Sequence, residues 1–204
     1  MLRRVCFCLA WSVLGALVPL KSGQAGIIHF NLQGKANTGL SSGNENTAIT
    51  GSPGTGGEIG AGISFNDVTN LLTINIGWGS VNGFTNLSGN ATSGHIHGPT
   101  ASGGVASFTQ NAGVIYGLNA LPGWNNSLSA GGFNGTVQIL TAADATALLN
   151  GRFYINIHTA INTPGEIRGN LVAIPEPSSV ALVALVGLPI VIARMRARRK
   201  SLAS

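Results

Sequence analysis

The chain has 204 residues, 30 of them glycine, with 44% hydrophobic and 8% charged residues and a formal net charge of +5. Spread over a fold, that charge would suit a nucleic-acid or membrane-surface binder. Here it sits at the ends, in Arg3, Arg4 and Lys21 and in Arg194, Arg196, Arg198, Arg199 and Lys200, while between them Lys35, Arg152 and Arg168 face five acids, Glu45, Glu58, Asp67, Asp144 and Glu166. Nucleic acid is excluded as a partner on this distribution.

Met1 to Arg4 is basic, Val5 to Leu20 is apolar, and Ser22, Gly23 and Ala25 are small. These are the three parts of a secretory signal peptide, with cleavage expected between Ala25 and Gly26. Both cysteines, Cys6 and Cys8, lie inside it, so the exported part is expected to hold no disulfide.

Residues 26–173 are enough for one domain with its own core. All but three glycines (Gly15, Gly23 and Gly187) fall in this stretch, where they punctuate short apolar runs, as in a turn-rich β domain. Ile27 to Leu32 reads as the first strand. Gly34 to Gly57 reads as a long, polar, mobile loop. Glu58 to Phe65 and Leu71 to Trp78 read as a hairpin, since Leu72, Ile74 and Ile76 alternate with polar or small neighbours. Further strands are expected at Ser93 to His97, Gly104 to Thr109 and Thr136 to Leu140.

One helix is expected after Thr141, whose hydroxyl stands three residues before Asp144 in a variant of the capping box, with Asn150-Gly151 as its stop. After it Phe153, Ile155 and Ile157 alternate with Tyr154, Asn156 and His158. The turn Asn162-Thr163-Pro164-Gly165 then leads into a last strand, Glu166 to Val172.

Three blocks in this stretch carry a resemblance: Gly94-His95-Ile96-His97-Gly98-Pro99, then Gly151 to Thr159 after the helix, and Pro164-Gly165-Glu166-Ile167-Arg168-Gly169-Asn170-Leu171. Their order and spacing resemble the CHRD domain, a module named for chordin and found also in bacterial exported proteins. Asn170 stands where the family often has glutamine, and the 34–57 loop is less typical. The resemblance implies a compact β-rich extracellular domain of poorly defined molecular activity, and it does not imply an enzyme. The expected fold is an antiparallel, Greek-key-like β-sandwich with one short helix.

His95 and His97, two apart on a strand, share a face. His158 closes another strand on the parity opposite Ile155 and Ile157, so three imidazoles meet if the two strands are neighbours. A His-x-His pair with a distant third histidine can build a zinc or copper site on a β scaffold, with Glu166 as a candidate carboxylate. The His-x-His pair is similar to that of copper–zinc superoxide dismutases, whose remaining ligands are missing here. The other reading has the histidines bonding loop backbone and Glu166 pairing with Arg168 along one strand face. His29 is left over. Ser93 and Ser102 lie near the pair without the setting of an activated nucleophile, so no catalytic residues are expected.

The tail runs from Ile174 through Pro175-Glu176-Pro177-Ser178-Ser179 into an apolar stretch at 178–193 and then the basic cluster Arg194, Arg196, Arg198, Arg199 and Lys200. That stretch is at the short limit for a helix crossing a ~30 Å hydrocarbon core, and the cluster would hold its end in the cytoplasm. The three parts resemble the PEP-CTERM sorting signal, which implies a transmembrane anchor, an exosortase-type processing enzyme as partner, and delivery to the cell surface or extracellular matrix. The chain is thus expected to be an exported, non-catalytic surface module meeting exopolysaccharide or other surface proteins, with metal binding as the alternative.

Overall fold

In a computed structural model the described residues are 26–125 and 129–175. They form ten strands: β1 (Ile27–Gln33), β2 (Leu40–Ser41), β3 (Thr55–Asn66), β4 (Leu71–Trp78), β5 (Ala91–His97), β6 (Val114–Gly117), β7 (Trp124–Asn125), β8 (Gly131–Gln138), β9 (Tyr154–Thr159) and β10 (Ile167–Ala173). One α-helix, α1 (Ala142–Leu149), precedes β9. The fold is mainly β and antiparallel with one short helix, as expected. Its strands hydrogen-bond in one continuous path, β6-β5-β9-β10-β1-β3-β4-β8-β7, with β2 bridging β10 and β3, where a sandwich suggests two separate sheets.

The path curls back on itself. A Cβ placed on Gly94 of β5 would lie 2.5 Å from the ring of Trp124 on β7, so strands from opposite ends of the path touch. Inside the roll Trp124 packs on Trp78 at 5.1 Å between ring centroids. Phe30, Leu32, Ile63, Phe65, Ile74, Ile96, Phe133, Ile155, Ile157, Ile167 and Leu171 fill the core from alternate positions of their strands.

The helix forms where the cap places it. The Thr141 hydroxyl accepts from the Asp144 amide at 3.0 Å and donates to its carboxylate at 2.8 Å. Gly151 ends it with a left-handed φ of +68°. Ala147 and Leu148 are buried and fix the entry into β9, and with it which face each β9 side chain takes.

Three expectations change. Gly104–Thr109 is a 3-10 turn and not a strand. Gly104 has φ +59°, and the Ser107 hydroxyl closes the turn on the carbonyls of Gly104 and Gly151. The strand paired with β5 is β6, further along. The 34–57 segment is not a structureless loop. It contains β2, and the side chain of Asn44 takes the amides of Ala36 and Asn37 and donates to the carbonyls of Asn37, Gly39 and Arg168. The strand expected at 136–140 begins earlier, at Gly131, and ends at Gln138.

No helix among the described residues is long and apolar enough to cross a membrane. The signal segment with Ala25, the sorting residues Glu176 and Pro177, the 178–193 stretch and the basic cluster from Arg194 to Lys200 lie outside the described residues.

Candidate metal centre

β9 runs between β5 and β10, and all six of its residues are buried. Ile155 and Ile157 face the core; Tyr154, Asn156 and His158 take the other face, which is covered and not open to water. The 34–54 segment and the 98–113 segment close over it, through Gly54 N to Glu166, Asn46 to Asn111, and Tyr154 Oη to the Ala112 carbonyl. Ser93 stands opposite His158, His95 opposite Asn156 and His97 opposite Tyr154. The β5–β9 pairing therefore sets His95 and His97 beside His158.

The three rings converge. Their ligand nitrogens all lie within 4.8 Å of one another. His95 Nδ1 is 2.9 Å from His158 Nε2. His158 Nδ1 is 2.8 Å from the Thr163 carbonyl and His97 Nδ1 is 2.9 Å from the Ala112 carbonyl. A carbonyl only accepts, so both Nδ1 atoms carry hydrogen and both Nε2 atoms present lone pairs. A backbone carbonyl holding the far nitrogen is the usual way a protein orients a metal-binding imidazole. In the metal-free state His95 supplies the hydrogen shared with His158. The Nε2 of His97 is buried without a hydrogen-bond partner.

The electrostatics keep the rings neutral. Burial, then the neighbouring His158 and His97, push His95 down to about 4. Burial also lowers His97 and His158, partly opposed by their hydrogen bonds to Ala112 and Thr163. Neutral imidazole is the form that binds metal. Zinc–nitrogen bonds of about 2.0–2.1 Å put tetrahedral ligand nitrogens roughly 3.3 Å apart. The 2.9 Å pair would open slightly, and the widest separation would close by side-chain rotation.

His97 is held in a stack. Its ring lies parallel to Tyr154, 4.8 Å between centroids and 5° between planes. On Tyr154 rests the Arg168 guanidinium, 3.5 Å from the ring centroid. Arg168 is fully buried and donates to the carbonyls of Ser107 and Gln110 and to the side chains of Asn111 and Asn170.

The other candidates go elsewhere. Glu166 is not a ligand and does not serve as the partner of Arg168. Its oxygens take the amides of Gly54 and Ser88, the hydroxyls of Ser88 and Thr159, and the Asn162 amide. Burial pushes this carboxyl up, but those bonds outweigh it and hold it below its ordinary range. It clasps three loops. His29 is exposed on β1, apart from the trio. Ser41 lies within Gly39-Leu40-Ser41-Ser42-Gly43, a Gly-x-Ser-x-Gly string, but its hydroxyl caps a 3-10 turn and takes the Gly43 amide and the Asn37 side chain, so it is no strand-to-helix nucleophile.

Two residues that the sequence left unassigned belong to the site. Asn156 sits between the histidines on β9, and Glu45 lies on the segment read as loop. Glu45 is buried, with one carboxylate oxygen unpartnered. Burial raises its carboxyl to about 7, against the pull of Arg168 and a hydrogen bond from Asn156. The signal for Asn156 was its place in the Tyr154-x-Asn156-x-His158 alternation; nothing local marked Glu45.

No curated protein and no solved structure matches the chain. The family model of the CHRD domain matches residues 36–171. The match spans both strands of the histidine cluster and the 3-10 turn and loops that cover it, and on that extent the chain belongs to the CHRD domain family.

Proposed function

We propose that the chain is an exported, non-catalytic surface or matrix module that binds one transition-metal ion, zinc or copper, through His95, His97 and His158. The observation that carries the metal reading is the 2.9 Å approach of His95 Nδ1 to His158 Nε2, beside an unpartnered His97 Nε2. Three neutral imidazoles, two of them oriented by backbone carbonyls, form a donor set of the kind zinc and copper(II) take on β scaffolds. When bound, the ion would cross-link β5 and β9 and the loops ending at Ala112 and Thr163.

Reconstituted with zinc or copper, the purified protein should hold one ion per chain. At a hundredfold excess over Kd it should gain roughly 5–10 °C in Tm. Less than about a tenth of an ion per chain, with no thermal gain, would contradict the reading.

Export is supported by the two address segments at the ends. In this reading the tail anchors the protein in the inner membrane until an exosortase-type enzyme releases it, and the sandwich-like β module then meets exopolysaccharide or other surface proteins. Replacing Pro175-Glu176-Pro177 by alanines should leave unprocessed protein in the membrane fraction. Normal release would remove the sorting step.

A further inference from the structure

The amide of Asn156 is buried at the centre of the histidine cluster, and its oxygen has no partner. It is 3% exposed, stands directly opposite His95 in the β5–β9 register, and shares its face with His158 two residues on. Asn156 Oδ1 has no hydrogen bond. Its orientation follows from its other end. Nδ2 reaches the Pro164 carbonyl at 3.4 Å, and a Cβ at Gly165 would lie 2.6 Å from Nδ2 and 2.6 Å from Glu45 Oε1, so both atoms border the space that Gly165 leaves open. The amide NH2 thus turns to the Pro164 carbonyl, on the side of Glu45, and Oδ1 is the end left without a partner, in a side chain that neighbours His97.

His97 holds a second unpartnered acceptor. The hydrogen of His97 is committed to the Ala112 carbonyl through Nδ1, so its Nε2 is a lone pair, buried and also unpartnered. Two buried acceptors without donors on neighbouring side chains are a rare and costly arrangement. A cation between them satisfies both.

We infer that Asn156 Oδ1 is a fourth ligand of the ion held by His95, His97 and His158, with Glu45 as the positioning residue that holds the amide so that its oxygen faces the metal. The inference rests on the metal reading above. It makes the site three nitrogens and one oxygen, a set that suits zinc or copper(II) and disfavours copper(I), which prefers soft sulfur donors. It also gives Gly165 a role, because at φ +129° it leaves room for the Asn156–Glu45 contact that any side chain would obstruct.

The test uses the full chain and three variants, Asn156→Leu, Asn156→Asp and Glu45→Gln, titrated with zinc and with cobalt(II) as a coloured substitute for zinc. Wild type should bind one ion. Asn156→Leu should bind zinc about ten- to a hundredfold more weakly and change the visible cobalt bands. Asn156→Asp, which keeps an oxygen in place and adds a negative charge, should bind zinc more tightly than wild type and shift the cobalt bands while keeping them four-coordinate. Glu45→Gln should weaken binding less than Asn156→Leu, with the oxygen donor still present in the cobalt spectrum. Unchanged affinity and cobalt bands in Asn156→Leu would overturn the fourth ligand while leaving the three-histidine site standing. If that variant does not fold, Asn156→Asp decides: cobalt bands identical to wild type, with no gain in affinity from the added charge, overturn the inference. A wild type that takes up no ion removes the metal reading itself.

Discussion

At the scale of single residues, the site is governed by where protons are allowed. His95 is held down to about 4, and His97 and His158 also fall below the ordinary histidine value, chiefly through burial. Glu45 goes the other way, up to about 7. Their effects on stability oppose one another. Between about pH 4 and 6.5 the unfolded chain binds more protons at His95 than the folded one, and His97 and His158 act in the same sense, so their contribution is lost as the pH falls. Between about 4.5 and 7 the folded chain binds more protons at Glu45, so its contribution is gained as the pH falls. Glu45→Gln should therefore make the metal-free protein lose stability more steeply from pH 7 to pH 5, read as the shift in urea midpoint between the two. An equal or shallower loss would show that Glu45 does not take up its proton inside the fold. The shared face of His95 and His97 was legible in the sequence because strand parity alone dictates it. Asn156 and Glu45 were not legible. An asparagine among many carries no local mark, and Glu45 meets β9 from more than a hundred residues away in the chain.

At the scale of elements, what makes the site is less the strands than what lies over them. Alternation along β9 predicted an apolar and a polar face, and the parity is right: Ile155 and Ile157 go inward, and Tyr154, Asn156 and His158 go outward. Alternation does not say what lies over the polar face, and every β9 residue on it is buried. The cover comes from the 34–54 and 98–113 segments, which hold themselves by side-chain bonds to backbone where a sequence reading looks for apolar periodicity. Asn44 is the keystone of the first segment, fully buried with both its oxygen and its nitrogen engaged. Asn44→Ala should cost about 2 kcal/mol of unfolding free energy by leaving backbone amides and carbonyls unpaired. It should also expose the 34–54 amides to hydrogen exchange before those of β9, since that segment packs on the sheet and is not its core. A stability within about 0.5 kcal/mol of wild type, the range of an ordinary surface change, would show that the segment is held by other contacts. The Gly104–Thr109 turn illustrates the same limit. Its residue types suit a strand, and what decides against one is the Ser107 hydroxyl closing on Gly104 and Gly151.

At the scale of the molecule, a basic chain resolves into a near-neutral β roll between two charged ends. The main hairpin, the helix with its cap and the last two strands could be read from periodicity and turn residues. The closing of the roll could not, because it depends on Gly94 leaving room for Trp124 across the structure. What the roll achieves is to press β5 against β9 with their polar side chains under cover, so that the His95–His97 pair and His158, distant from it in the chain, bring ring nitrogens to one point. Imidazole nitrogen-15 spectra of the purified protein, recorded as zinc is added, test that convergence atom by atom. The prediction is that Nε2 of His97 and of His158 and Nδ1 of His95 shift together and saturate at one zinc per chain, while exposed His29 stays in place. Resonances of the trio that stay still at saturating zinc, or a response confined to His29, would contradict it.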